Sequence, residues 1–237
     1  MLDPHGRVVL ISGPNRGIGL ALAQNLYAKG YSLSLGGRDA ASLARVAEKM
    51  DPARIHTARY DAKDWRSHKA WVDAAVERFG RIDVLINNAG ISPKMTLRDA
   101  DEAALDEIWA VNCKAPVSMI HCALPHLEAS GSGRIVNVSS LSGKRVANDN
   151  FAYSMSKFAV MSLTHAARRI AWDKGVRATA VCPAFVRTDM TAGVSNFPHE
   201  QMIDPGDLAE LVSSVIALPN TASVAELLVN CRLEQML

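Results

Sequence analysis

Short apolar runs alternate along the whole chain with longer stretches in which apolar positions recur every three or four residues. The runs at 7–12, 31–35, 54–59, 83–86, 135–138, 176–182 and 224–230 have the length and flanking turn residues of strands. Helical periodicity fills the gaps: from the glycine turn at 13–19 to about 29, then 39–49, 65–79, 102–127, 151–173 and 205–217. Asp39 is placed to cap the second helix, and Pro116 to kink the long stretch over 102–127. Strands separated by helices predict an α/β fold, a doubly wound parallel β-sheet with helices on both faces. Ligands of such sheets bind outside the carboxyl ends of the strands. Ser12, Asn87, Ser140 and Pro183 all fall at those ends, so they converge on one edge.

Composition narrows the picture without redirecting it. A length of 237 residues suits a single domain spanning 1–237, and 49% hydrophobic with 21% charged residues is ordinary for a water-facing globular chain. A formal net charge of +2, with no stripe of Lys or Arg, gives no support to nucleic acid or a membrane surface as partner. No apolar run reaches the roughly 18 residues of a membrane helix. The opening residues lack a signal-peptide pattern, so the expected location is cytoplasmic. Cys113, Cys122, Cys182 and Cys231 lie far apart without metal-ligand spacing, which predicts reduced thiols and no metal.

The turn after the first strand carries the first candidate chemistry. Ser12, Gly13, Asn15, Arg16, Gly17, Ile18 and Gly19 belong to a Gly-x-x-x-Gly-x-Gly turn that opens a helix. Such a turn lets backbone approach a pyrophosphate at the positive helix N-terminus. Arg38 follows the second strand, where a nucleotide ribose is expected and where NAD sites usually place an acid. With Arg16 it favours NADP(H), NAD(H) remaining the alternative. Tyr153 and Lys157, four apart, share one helix face, and Ser140 precedes them by thirteen residues. A lysine beneath the phenol is expected to lower its pKa toward working pH and suit it to proton transfer at an alcohol or carbonyl oxygen.

Gly13/Gly17/Gly19, Asn87-Asn88-Ala89-Gly90, Asn112, Ser140, Tyr153 and Lys157, in that order from residue 7 to about 207, resemble a short-chain dehydrogenase/reductase. The resemblance implies a Rossmann-like fold and a set of roles. Tyr153 would be the general acid/base, Lys157 would tune it and hold the nicotinamide ribose, and Ser140 would steady the substrate oxygen. Asn112 would bend its helix and hold a water leading from Lys157. Asn87, Ala89 and Gly90 would line the cofactor cleft, and Asp61 would contact the adenine. The segment from Pro183 through Val186 to Thr188 would hold the nicotinamide.

Two stretches depart from the pattern. Pro183-Ala184 replaces the more frequent Pro-Gly, and residues 222–232 replace a glycine-rich terminal stretch that helps many relatives form tetramers. A homodimer through the 102–127 and 151–173 helices is therefore expected, with a tetramer as the alternative. The substrate pocket is expected from 91–95, 141–150 and 190–202. Phe197 and Met202 either touch substrate or anchor the last segment, and Lys94, Lys144 or Arg187 offers a charge to an anionic group. The expected activity is interconversion of a ketone or aldehyde with an alcohol; the competing expectation is a cofactor-sensing regulator without turnover.

Overall fold

The computed structural model describes residues 1–234. Among them, seven strands run as β1 (Val8–Ser12), β2 (Ser32–Gly37), β3 (Ile55–Arg59), β4 (Val84–Asn87), β5 (Arg134–Val138), β6 (Arg177–Pro183) and β7 (Glu226–Val229). They form one sheet ordered β3-β2-β1-β4-β5-β6-β7, and every neighbouring pair is parallel. The helices are α1 (Gly17–Ala28), α2 (Ala40–Ala47), α3 (Trp65–Phe79), α4 (Glu102–Trp109), α5 (Ala115–Ala129), α6 (Phe151–Ile170) and α7 (Pro205–Ile216).

The continuous apolar runs are explained by burial on both faces. Within β1, Val9 and Ile11 pack with Leu22 and Leu26 of α1 and Leu208 and Val212 of α7. Val8 and Leu10 point the other way, onto Trp71 of α3, Met119 of α5 and Ala167 of α6. Successive strand side chains face opposite ways, so each layer of helices requires its own apolar set. Full burial of one such side chain contributes about 1.5–3 kcal/mol. Trp71, fully buried, also donates its indole N–H to Ser34 Oγ at 2.8 Å, which satisfies the one polar atom it brings inside.

The 102–127 stretch is not one helix kinked at Pro116. α4 ends at Trp109, a π-helical turn spans Ala110–Lys114, and α5 begins at Ala115. Pro116 follows the π-helical turn directly, and its missing N–H leaves a carbonyl of that turn without a helical donor. The interruption comes from the wide turn around Asn112, whose amide is tied sideways to Ile91. The other boundaries move by a few residues. α6 stops at Ile170, and a 3-10 turn over Trp172–Lys174 follows it.

β1 and β4 are neighbours although β2 and β3 lie between them in sequence, so the connections leaving them diverge to opposite sides. That divergence opens a crevice at the carboxyl edge, the usual ligand position in a doubly wound sheet.

Candidate active site

Ser12 and Asn87 are the last residues of β1 and β4, and Pro183 is the last of β6. Ser12 Oγ accepts from the backbone N–H groups of Asn88 and Ala89 at 3.0 and 3.1 Å. The Asn88 side-chain amide donates back to the carbonyls of Ser12 and Gly13 at 3.0 and 2.9 Å. The two halves of the crevice are thus stitched together by Asn88, which the sequence offered only as a member of the Asn87-Asn88-Ala89-Gly90 motif, without a role of its own. Its signal was the pair of consecutive asparagines at a strand end.

The glycine turn is shaped by close packing. A Cβ at Gly19 would stand 2.1 Å from the carbonyl oxygen of Gly13, a backbone atom that cannot step aside. The N-cap of α1, Arg16, makes no side-chain cap, and the first turn carries no acid. The leading N–H groups of α1 are thereby left free for an anion. Asn15 and Arg16 are exposed beside them, and Ile18 packs inward against the core. Asn87 Nδ2 donates to Asn137 Oδ1 at 2.8 Å, while its own Oδ1 is buried without a partner among the described residues. An uncapped helix start and an orphaned buried acceptor, both facing this edge of the sheet, fit a dinucleotide. A cleft of about 370 Å³ opens here between Arg16, Gly90, Ser92, Glu107 and Asp189.

Arg16 and Asp189 approach to 3.5 Å across that cleft, both largely exposed, so the pair contributes little to stability. Arg38, exposed immediately after β2, pairs with no carboxylate among the described residues. Asp61, two residues past β3, lies 3.6 Å from the Arg59 guanidinium and accepts from the Lys63 N–H. Thr188 packs against Gly17, and Val186 is buried below it, bridged to Ile203.

Ser140 caps a 3-10 turn over Leu141–Gly143, its Oγ accepting from Ser142 N at 3.1 Å. Tyr153 and Lys157 lie on the face of α6 turned toward that serine, whose hydroxyl donates to the Pro183 carbonyl at 3.5 Å and acts on the nearby Tyr153 phenol. Lys157 Nζ is buried, donates to the Val138 carbonyl at 2.8 Å, and stands 5.4 Å from the centre of the Tyr153 ring. Burial pushes the Tyr153 phenol up to about 12, only partly offset by the Ser140 hydrogen bond. This departs from the expected lowering: removing the phenolate from water dominates. Burial also brings Lys157 down to about 8. These shifts have opposite consequences for stability. Lys157 opposes folding below about 8, an effect that fades by its ordinary 10.5, whereas Tyr153 makes stability fall as pH rises from 10 through about 12.

Asn112 works as a strap. Its amide donates to Ile91 O at 2.9 Å and Ser156 Oγ at 3.0 Å, and its Oδ1 accepts from Ile91 N at 2.9 Å. It therefore locks the backbone beside Gly90 to α6, one residue before Lys157. Two of the basic candidates for substrate are already engaged: Lys144 with Glu226 at 2.7 Å and Arg187 with Asp204. Lys94 is exposed without such a partner among the described residues. Phe197 and Met202 are buried, 8% and 5% exposed, and Phe197 packs on Phe185 with ring centres 5.6 Å apart. They anchor their segment. Cys113 and Cys182 are buried and all four cysteines are free, and among the described residues no helix is long and apolar enough to cross a membrane.

A short chain dehydrogenase family model matches residues 7–198. An agropine synthesis reductase of Rhizobium rhizogenes is 46% identical over 230 residues, which is 97% of this chain and 53% of that protein. The chain thus spans about half the length of that curated relative. An alcohol dehydrogenase from the archaeon Thermococcus sibiricus, complexed with 5-hydroxy-NADP, superposes with a TM-score of 0.86 at 26% identity, over 94% of this chain and 95% of that one. A metagenomic short-chain oxidoreductase in complex with NADP gives 0.84 at 29% identity, over 98% and 100%.

Proposed function

The chain belongs to the short-chain dehydrogenase/reductase family of oxidoreductases, and from that premise we propose that it reduces a ketone or aldehyde to an alcohol with NADP(H). The observation that carries this reading is the convergence of Ser140, Tyr153 and the buried Lys157, whose Nζ stands 5.4 Å from the centre of the Tyr153 ring. Both solved neighbours are NADP complexes, and the curated relative is a reductase.

The glycine turn from Ser12 to Gly19 would hold the pyrophosphate, Arg38 the ribose 2′-phosphate and Asp61 the adenine side. Asn87, Ala89 and Gly90 would form the cleft floor, with Pro183, Val186 and Thr188 over the nicotinamide. When bound, the nicotinamide supplies the hydride to the carbonyl carbon. Everything else falls to the chain. Ser140 and Tyr153 each donate a hydrogen bond to the carbonyl oxygen, which becomes more basic as the carbon is reduced. Tyr153 then gives its proton to that oxygen. A phenol with a raised pKa is fully protonated at neutral pH and so is ready to act as the acid. Lys157 stabilises the phenolate left behind, and Asn112 keeps the Gly90 backbone close to it.

Both halves of this site come from one sheet, which supports a single dinucleotide-binding and catalytic unit. Val117, Met155 and Phe158 are exposed apolar side chains on α5 and α6 and support a homodimer through those helices. Sedimentation at the mass of one chain would remove that part of the reading.

The test is NADPH oxidation across a panel of small ketones and aldehydes. Turnover supports the proposal, and tight NADPH binding without turnover of any carbonyl points to the sensing regulator instead. A pH dependence follows from Lys157. As pH rises through about 8 its ammonium loses its proton, so kcat/KM for reduction is expected to fall roughly tenfold per unit above that value. In Lys157→Arg the same limb should be absent up to pH 10, because a guanidinium stays charged. An unchanged limb in that variant would assign it to another group.

A further inference from the structure

The stretch at 222–232, which departs from the family pattern, runs directly beside the turn that carries Ser140. Lys144 and Arg145 are the two residues after that turn, and each is held by a carboxylate from late in the chain. Lys144 Nζ meets Glu226 Oε2 at 2.7 Å, with the side chains 27% and 22% exposed. The second oxygen of Glu226 meets His165 Nε2 of α6 at 2.9 Å. Arg145 donates twice to Glu234 Oε2, from Nε at 3.0 Å and Nη2 at 2.6 Å, and this pair is nearly buried, at 12% and 10% exposed. Arg232 reaches the other Glu234 oxygen at 3.4 Å and lies over the Phe197 ring, its guanidinium carbon 5.9 Å from the centre.

These contacts matter because little else holds the segment. Between Gly143 and Phe151 the backbone has no helix or strand, and Val146 is two-thirds exposed. The turn itself is poised for precision. The N–H groups of Lys144 and Arg145 both donate to Leu141 O, at 2.9 and 3.1 Å, and Ser142 N donates to Ser140 Oγ. Gly143 sits so close to α6 that a Cβ there would stand 2.7 Å from Lys157 O. A small displacement of residues 144–145 is therefore passed to the Ser140 hydroxyl. A charged pair shielded from water holds its geometry more firmly than an exposed one.

We propose that Glu226 and Glu234 are positioning residues, which clamp Lys144 and Arg145 and thereby hold the Ser140 hydroxyl at the carbonyl oxygen. The proposal rests on the reductase reading above for its catalytic consequence and on the two ion pairs for its structural one.

The experiment combines hydrogen exchange at the Ser142 amide with steady-state kinetics at saturating NADPH, for Glu226→Gln, Glu234→Gln and the double variant. Exchange over 141–145 is expected to quicken about tenfold or more in the double variant, because a clamped turn opens more often once released. kcat should fall by about tenfold or more while KM for NADPH is unchanged, since a hydroxyl misplaced by an ångström loses its catalytic share. The reciprocal swap Lys144→Glu with Glu226→Lys should recover part of that loss. Glu210→Gln, which removes the exposed pair with Lys29, should change neither quantity. Unchanged exchange at Ser142 overturns the proposal, as does faster exchange with undiminished kcat. Each single variant is read the same way, so a double variant that fails to fold still leaves the question decided. If the unmutated protein turns over no carbonyl, the reductase reading fails on its own, and exchange at Ser142 still reports whether the carboxylates hold the turn.

Discussion

Tyr153→Phe is expected to lower kcat for carbonyl reduction on the order of a thousandfold while NADPH affinity stays within about a factor of two. The ring would remain where it is, packed against the cluster of Met95, Ile108 and Ala152, so only the hydroxyl is lost. In the proposed mechanism that hydroxyl is the proton donor. Lys157 Nζ stands 5.4 Å from the centre of the Tyr153 ring, placed to stabilise the phenolate that proton transfer would leave. Stopped-flow reduction with NADPH in excess, together with a fluorescence titration of NADPH, measures the two quantities separately. Turnover near that of the unmutated protein would remove Tyr153 from the mechanism. A parallel loss of NADPH binding would show that the substitution had damaged the cleft instead.

Arg38→Asp is expected to weaken NADPH roughly 10- to 100-fold and to leave NADH binding equal or improved. The size follows from the proposed contact of the Arg38 guanidinium with a doubly charged phosphate, replaced by a carboxylate that would repel it. The direction for NADH follows because a carboxylate at the end of β2 accepts from ribose hydroxyls. Arg38 is exposed and free of carboxylate partners among the described residues, so the substitution breaks no ion pair of the fold. Asp39, next in the chain, keeps the α2 cap through its contact with Ala41 N at 3.0 Å. Equilibrium binding of both dinucleotides to both proteins is the measurement. Equal affinities for NADPH and NADH in the unmutated chain would overturn the assignment of Arg38.

Much of the architecture was legible in advance because burial on two faces leaves an unmistakable mark. A run such as Val8-Val-Leu-Ile11, with no polar position, has few places to go except the middle of a covered parallel sheet. The cap at Asp39 and the glycine turn before α1 were readable for a similar reason, since each depends on neighbours within a few residues. The π-turn at Ala110–Lys114 was not. Helical periodicity continues through it, and what widens it is Asn112 reaching the backbone of Ile91, twenty-one residues earlier. The fate of Lys144 and Arg187 was hidden in the same way: their partners, Glu226 and Asp204, lie 82 and 17 residues on.

The direction of the Tyr153 shift marks the boundary most sharply. The spacing of Tyr153 and Lys157 is a local property, and the order of residues alone was enough to set both on one face of α6. Whether the lysine charge or the loss of water prevails depends on how many atoms surround each group, and that is a matter of how β5, β6 and α6 close around them. Spacing, propensity and capping act over a few residues and are written in the chain as such. Dielectric environment and ion-pair partners arise from segments brought together across the fold, so they became visible only once the elements were packed.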